Sequence, residues 1–504
     1  MDSVPINKQR IQRITNNNRP DRPLEVVLLF DVEDIFSPSE VGNDDSIQEL
    51  ATILTEEGLR GTFLFIGDRA LQLRERGRQD VIDSLAPHEV GLHTRSARHP
   101  CSPEYVQRKS WEEGLAEALR HEREGVEIIR EVFGRPACAL STHNQFATPH
   151  SMRAAALLGL PYVYAFPAAP PLYSVSWYAG ALGLPWSSPM LEGGLCERTF
   201  FGGFDDYYPD NAAFEAQMQR FDAHIEACLA EGQPVLSLLL YHPQRVRLAQ
   251  FIDSFWAPDG VNYPVAEWGK RGQPARYTPP QVITALANFR RLASKIRNDP
   301  RLRPLSVGEV VRQYGSQPAQ ITFEELLAAS RDICAKNEIL LHERFSPAEI
   351  LVGLAEAVVH TAQHGKLPAH TLRRDVLGPV QNMIYHPETR TFDWRTLTKK
   401  AGQILDRVTK SGHLPAMLGE AGERVGINHL YRAFAETCLS IAAGDTPAEI
   451  SLRPMPRHPA LAEAIGMRFV QVAESALMSP DLDVDALYRH GKLQTWTLKP
   501  AMRI

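Results

Sequence analysis

Three short segments in the first half of the chain each set acids or histidines just beyond an apolar stretch. They are Phe30-Asp31-Val32-Glu33-Asp34, the run from His93-Thr94 to His99-Pro100, and Leu240-Tyr241-His242-Pro243. Loops leaving the carboxyl ends of parallel strands are where α/β proteins assemble their chemistry. One carboxylate with two histidines is a donor set for a divalent metal that keeps open positions. A remaining Asp and a remaining His could then act as base and acid of a hydrolysis. On an extended chain Asp31 and Glu33 project to one side, while Asp34 projects oppositely or begins the loop. Two carboxylates in one pocket call for a cation between them, so one would hold metal and the other stay near as base. Asp34 has a second possible use, capping the helix that follows. His93 and His99 are not at helical spacing, so they meet only if the intervening residues turn back. His242 ends a strand-like apolar run, where a proton donor to a leaving group is useful; the alternative is a core histidine bonded to a carbonyl. Phe204-Asp205-Asp206-Tyr207 also pairs two acids, but it follows Gly202-Gly203 in an irregular stretch and reads as a loop.

These segments need a scaffold. From residue 24 to about 315, strand-length apolar runs (26–30, 62–66, 90–93, 137–140, 162–166, 235–241 and a short one near 305–307) alternate with helical patterns at 45–57, 71–85, 104–132, 149–158, 211–231 and 280–298. Several of the helical patterns stop at glycine, as at Gly58, Gly134 and Gly159. Such alternation predicts a parallel sheet with helices outside, and the number of strands fits an irregular (β/α) barrel. The stretches 167–208 and 251–277 break the rhythm with Pro, Gly and aromatic residues and read as long loops near the mouth. A linker at Gly315-Ser316-Gln317-Pro318 marks a boundary, and residues 322–504 read as a mostly helical domain. Within it Glu343-Arg344-Phe345 and the residues after it recur as Glu423-Arg424-Val425 at an offset of 80, and Gly-x-Leu-Pro-Ala occurs at Gly365 and Gly412. Two degenerate copies of one helical unit would produce that echo.

Composition sets the outer bounds. A chain of 504 residues exceeds one ordinary core. Its 44% hydrophobic and 23% charged content is that of a globular protein, and a net charge of −6 leaves no footprint for nucleic acid or an anionic membrane. Six scattered cysteines without a CxxC pair suit reduced thiols. Residues 1–23 are polar and lack an apolar signal core, so a disordered leader and a cytoplasmic location are expected; no run reaches membrane-span length.

The ordered set of motifs resembles the NodB-homology polysaccharide deacetylases (carbohydrate esterase family 4) over residues 24–315. In that family a strand ends in paired acids, the first a base and the second a metal ligand. Asp31 matches the base; the ligand would be Glu33 or Asp34, because D-V-E-D departs from an adjacent pair, with the Asp-x-acid form of some relatives favouring Glu33. His93-Thr94 and His99-Pro100 match the ends of the family's His-(Ser/Thr)-x-x-His-Pro motif, with two residues inserted, and Leu240-Tyr241-His242 matches its late Leu-x-His motif. The Arg that stands beside the family's base is not evident: Leu140 or Ser141 occupies its place, and His143 and Asn144 are candidates for the vacated space. The resemblance implies a divalent metal, zinc foremost with cobalt or nickel as alternatives, held by His93, His99 and Glu33 or Asp34. It also implies Asp31 as base, His242 as acid, and an N-acylated amino sugar or glycan as substrate. The helical echo is faintly similar to pseudomurein-binding repeats, and this half is the expected place for a protein partner or homo-oligomer contact. Two other functions remain open, a metal-independent C–N hydrolase on the same barrel and a non-catalytic carbohydrate-binding or scaffolding protein.

Overall fold

The computed structural model describes residues 22–98, 100–143, 147–164, 175–183, 204–231, 235–251, 272–420, 424–475, 479 and 481–503. The expected leader therefore lies almost wholly outside the described residues, as do most of the two irregular stretches.

The central strand, β1 (Leu24–Val32), is apolar except for Glu25 and Asp31 and is buried throughout, as a parallel strand covered on both faces must be. Around it stand β2 (Thr62–Phe65), β3 (Glu89–His93), β4 (Leu140–Ser141), the hairpin of β5 (Ser176–Tyr178) and β6 (Ala181–Gly183), β7 (Val235–Tyr241) and β8 (Leu302–Leu305). The order β4-β3-β2-β1-β7 is parallel at every step. β7 holds one edge of β1, so β8 and β2 share the other, β8 along residues 24–27 and β2 along residues 29–32. Bridges through Val163 carry the row on from β4 to β6. Helices α1 (Asn43–Glu56), α2 (Gly67–Glu75), α3 (Trp111–Phe133), α4 (Pro149–Leu157), α5 (Asn211–Glu231) and α6 (Pro279–Asn298) alternate with these strands. The result is an irregular α/β barrel, in keeping with the expected fold class.

Strand alternation divides the barrel into two apolar layers. Val26, Leu28, Phe30, Phe63, Phe65, Val90, Leu92 and Leu140 face the helices, while Val27, Leu29, Leu64, Ala139 and Val235 fill the interior with Tyr162 and Tyr164. Gly91 lies in an inward row because a Cβ there would meet Leu64 Cδ2 at 2.6 Å. Helix α7 (Val307–Tyr314) closes the base: its first amides donate to Glu89, and the Tyr314 hydroxyl donates to Glu25.

The second half is mostly helical, as expected, with short strands flanking two helical units. The first unit runs β9 (Gln320–Thr322), α8 (Phe323–Lys336), α9 (Pro347–His364), β10 (His370–Leu372). The second runs β11 (Arg390–Asp393), α10 (Trp394–Ser411), a short hairpin of β12 (Met417–Leu418) and β13 (Val425–Gly426), α11 (Ile427–Ala442) and β14 (Glu449–Leu452). In each unit the first and last strands pair antiparallel. The units interlock, α8 packing on α11 and α9 on α10. The offset of 80 aligns α9 with α11. The matching turn is Gly365-Lys366-Leu367-Pro368-Ala369 with Gly444-Asp445-Thr446-Pro447-Ala448, whereas Gly412 merely stops α10 with a positive φ of 73°. An ion pair recurs with the units: Glu356 with Arg374, and Glu436 with Arg453.

The chain then returns to the barrel. Helices α12 (Ala462–Ser475) and α13 (Val484–Gln494), with Leu461 just before the first, place Ile465, Phe469 and Leu487 in the layer that covers the sheet, and β15 (Lys499–Pro500) pairs antiparallel with β5. Lys499 Nζ, 2.7 and 2.8 Å from the Glu349 carboxylate at the start of α9, ties this last segment to the first helical unit. Among the described residues no helix is long and apolar enough to cross a membrane.

Candidate active site and metal centre

The inward rows of β1, β3 and β4 end in titratable side chains. Leu29 leads by alternation to Asp31 and Glu33, Gly91 to His93, and Ala139 through Ser141 to His143. A register shift on β7 brings in the last member. Leu29 pairs with Leu239 but Phe30 with Tyr241, so β7 carries one extra residue. Leu236, Leu238, Leu240 and Tyr241 consequently all join the helix-facing layer, two of them consecutive. That bulge turns His242 toward the barrel axis, where unbroken alternation would have pointed it away.

The convergence is tight. Glu33 Oε2 lies 3.2 Å from His93 Nε2 and 3.1 Å from His143 Nδ1, and Glu33 Oε1 lies 3.5 Å from His242 Nε2. Asp31 stands 3.8 Å from His93 Nδ1 and 3.8 Å from His242 Nε2. All five side chains are buried. On its far side His242 is held by Asp205, which accepts from its backbone N–H at 2.9 Å and contacts its ring Nδ1. The neighbouring Asp206 pairs with Arg245, three residues beyond His242. Phe204 and Tyr208, both fully buried, anchor this acidic turn in the core.

Charge follows from this crowding. Burial raises the Asp31 carboxyl above the ordinary range, only partly offset by His93 and His242. Burial also pushes Glu33 upward, but His242, His143 and His93 together outweigh it and hold Glu33 well below the usual carboxylate range. Burial alone would neutralise His242; the charges of Asp205, Glu33 and Asp31 overcome that and push it up to about 10. The arrangement thus sets a carboxyl of raised pKa and a firmly protonated imidazole on either side of an ionised glutamate.

The sequence expectations meet mixed outcomes in placement. Asp31, Glu33, His93 and His242 are brought together. Asp34 is not: one oxygen accepts the Phe36 and Ser37 amides at 3.1 and 3.0 Å, and the other accepts from Asn43. Of the two acids left open as a ligand, Asp34 therefore serves its own loop, because the chain turns at Glu33 and sends the next side chain sideways. His99 lies outside the described residues. His143, considered only for the space of the missing Arg, supplies an imidazole to Glu33. Asp205, read as a bystander in a loop, supports His242; the buried aromatic residues bracketing it were the available signal.

Whether these residues suit a metal can be judged from the site itself. Glu33, His93 and His143 each offer a ligand atom within 4.8 Å of the others. His93 Nδ1, Asp31 Oδ1 and Glu33 Oε1 are buried without a hydrogen-bond partner, a costly state unless something else engages them. Two imidazoles and a carboxylate form a donor set of the zinc type, with room left for water or substrate. The residues fit.

No protein-family model matches the chain, and no curated protein matches it. Among solved structures it is similar to an allantoinase (13% identity over 61% of this chain and 97% of that one, TM-score 0.38). A family 4 carbohydrate esterase from Streptomyces lividans, in complex with acetate, also matches (15% identity, 56% and 91%, TM-score 0.28). So does a CE4 family pseudoenzyme from Bacillus anthracis (10% identity, 51% and 64%, TM-score 0.26). At such identities and scores none of them lends a residue role or a substrate to this chain.

Proposed function

We propose that this protein is a metal-dependent hydrolase that removes an N-acyl group, acetyl foremost, from an amino-sugar-containing substrate. The observation that carries the reading is one juxtaposition: Glu33, His93 and His143 around a common centre, with Asp31 and the Asp205-supported His242 flanking it. The amino-sugar part rests on the motif resemblance of residues 24–315.

Glu33, His93 and His143 would hold the ion, zinc foremost; when bound, it polarises the acyl carbonyl and favours ionisation of a water. Asp31, beside His93 yet spared from the ion-holding set, takes the proton of the attacking water. Its raised pKa suits a base that works near neutrality. His242 keeps its proton because Asp205 accepts at Nδ1, which fixes the ring and leaves Nε2 aimed at the cluster to protonate the departing amine. Burial of the set excludes bulk water, so each of these charges acts at full strength.

Elemental analysis of the purified protein beside a deacylase assay over N-acetylated sugars and oligosaccharides tests this. His93→Ala is expected to lose turnover together with one equivalent of zinc, cobalt or nickel relative to wild type. Turnover that survives full removal of metal would reject it in favour of a metal-free C–N hydrolase. One feature favours that second reading: Glu33 already sits between three imidazoles, a network that balances its charge without an ion.

A further inference from the structure

The second half carries a pair of imidazoles that the fold does not explain. On α9, His360 and His364 lie one turn apart with ring centroids 4.4 Å from each other, and Glu356 lies one turn before them. A groove of about 600 Å3 opens beside this stripe, lined by Glu356, His360, Lys366 and His370, with Phe323 in its wall. Glu356 Oε2 is buried without a hydrogen-bond partner, 3.7 Å from Arg374; Oε1 accepts the Leu372 amide at 3.5 Å.

The second unit acts as an internal control. At the offset of 80, Glu356 is matched by Glu436 and keeps its arginine partner, but His360 is matched by Ser440. His364 falls opposite Ala443 or Gly444, and His370 opposite Glu449. Helix α11 and its strand form the same unit without any of the three imidazoles, so packing does not require them.

We propose that α9 and the turn after it form a second metal site, separate from the barrel, that binds a borderline divalent cation such as zinc, nickel or copper. Two imidazoles four residues apart on a helix are chelating by geometry, since both rings leave the same face and little side-chain freedom is lost on binding. His360 and His364 supply that clamp. Glu356 and His370 line the groove beside His360, and water completes the shell. Nitrogen donors favour these metals over magnesium or calcium.

The test uses the full-length apoprotein, titrated with zinc against a chromogenic chelator, in wild type and in His93→Ala. Wild type is expected to bind two equivalents, and His93→Ala to keep the one at α9. The double variant H360A/H364A should lose that equivalent. His364→Ala alone, at an exposed position that cannot disturb the core, should weaken it ten-fold or more. The proposal is overturned if H360A/H364A binds as many equivalents as wild type with unchanged affinity. It is equally overturned if His93→Ala abolishes all binding. A single equivalent that survives His93→Ala and disappears in H360A/H364A would uphold this site while rejecting the barrel centre.

Discussion

The two ends of the barrel bury carboxylates in opposite ways. At the base, Glu25 receives the Tyr314 hydroxyl at 3.0 Å and the Arg503 guanidinium at 3.0 Å. Glu89 there receives the Val307 and Gly308 amides at 2.7 and 3.0 Å. These donors are a phenol hydroxyl, a permanently charged guanidinium and backbone amides, none of which changes protonation near neutral pH. At the rim, Asp31 and Glu33 are buried as deeply as Glu25, but the groups that face them are imidazoles. Imidazole can give up a proton or a lone pair; guanidinium can do neither. A buried acid facing arginine is structural cement, whereas a buried acid facing histidines is a site held ready for something that arrives.

That contrast can be broken most severely at Asp31. Asp31→Asn keeps size and burial but removes the base, so turnover should fall by roughly 10²–10⁴-fold while metal content stays at the wild-type level. Loss of metal in this variant would show Asp31 to be a ligand instead. Next is Asp205→Asn, which should lower kcat by about ten-fold or more and also move the pH profile. His242 must be protonated to act, and Asp205 is the largest influence raising it to about 10. Without that charge the proton leaves at lower pH, so the alkaline limb of the profile should shift toward neutrality. An unmoved limb in Asp205→Asn would remove His242 from the role of acid.

The base answers with stability rather than turnover. Glu25→Gln leaves the half-buried Arg503 without its counter-charge, which should cost on the order of 1–3 kcal/mol, read as a lower Tm or denaturation midpoint. Turnover per folded molecule should not change. A fall in kcat comparable with that of Asp31→Asn would erase the distinction between the two ends.

How much of this was legible beforehand depended on whether the signal was local. The strands of the barrel were, because parallel strands are apolar along their length: the expected 235–241 is β7, and 211–231 is α5. Local breaks were harder to see. The helix expected over 71–85 is divided at Gly77, whose φ of 67° ends α2 before a second helix, Gln79–Ser84. The strand expected over 162–166 is reduced, among described residues, to bridges at Val163. Short edge strands in the helical half were missed, since three or four residues show no periodicity. At the site, acids and histidines at strand ends were visible as such, but pairing across distance was not. Asp205 reaches His242 from 37 residues away, and the bulge that aims His242 exists only in the pairing of β7 with β1. In the repeat, the better-looking Gly412 motif drew attention from the true counterpart at Gly444, whose turn keeps only Gly, Pro and Ala.

The smallest expected effect lies three residues from the largest. Asp34 is buried like Asp31 and Glu33, but both its oxygens are engaged, by the Phe36 and Ser37 amides and by Asn43. An Asn in its place keeps one acceptor oxygen for the amides and loses only the contact to Asn43, so Asp34→Asn should cost about 1 kcal/mol of stability. Metal stoichiometry should be unchanged, whereas Glu33→Gln should weaken metal binding by ten-fold or more. Measuring both variants in one titration separates the two acids directly. Release of metal by Asp34→Asn with Glu33→Gln unaffected would mean that the loop rearranges around the ion and that the rim, unlike the base, is not preformed.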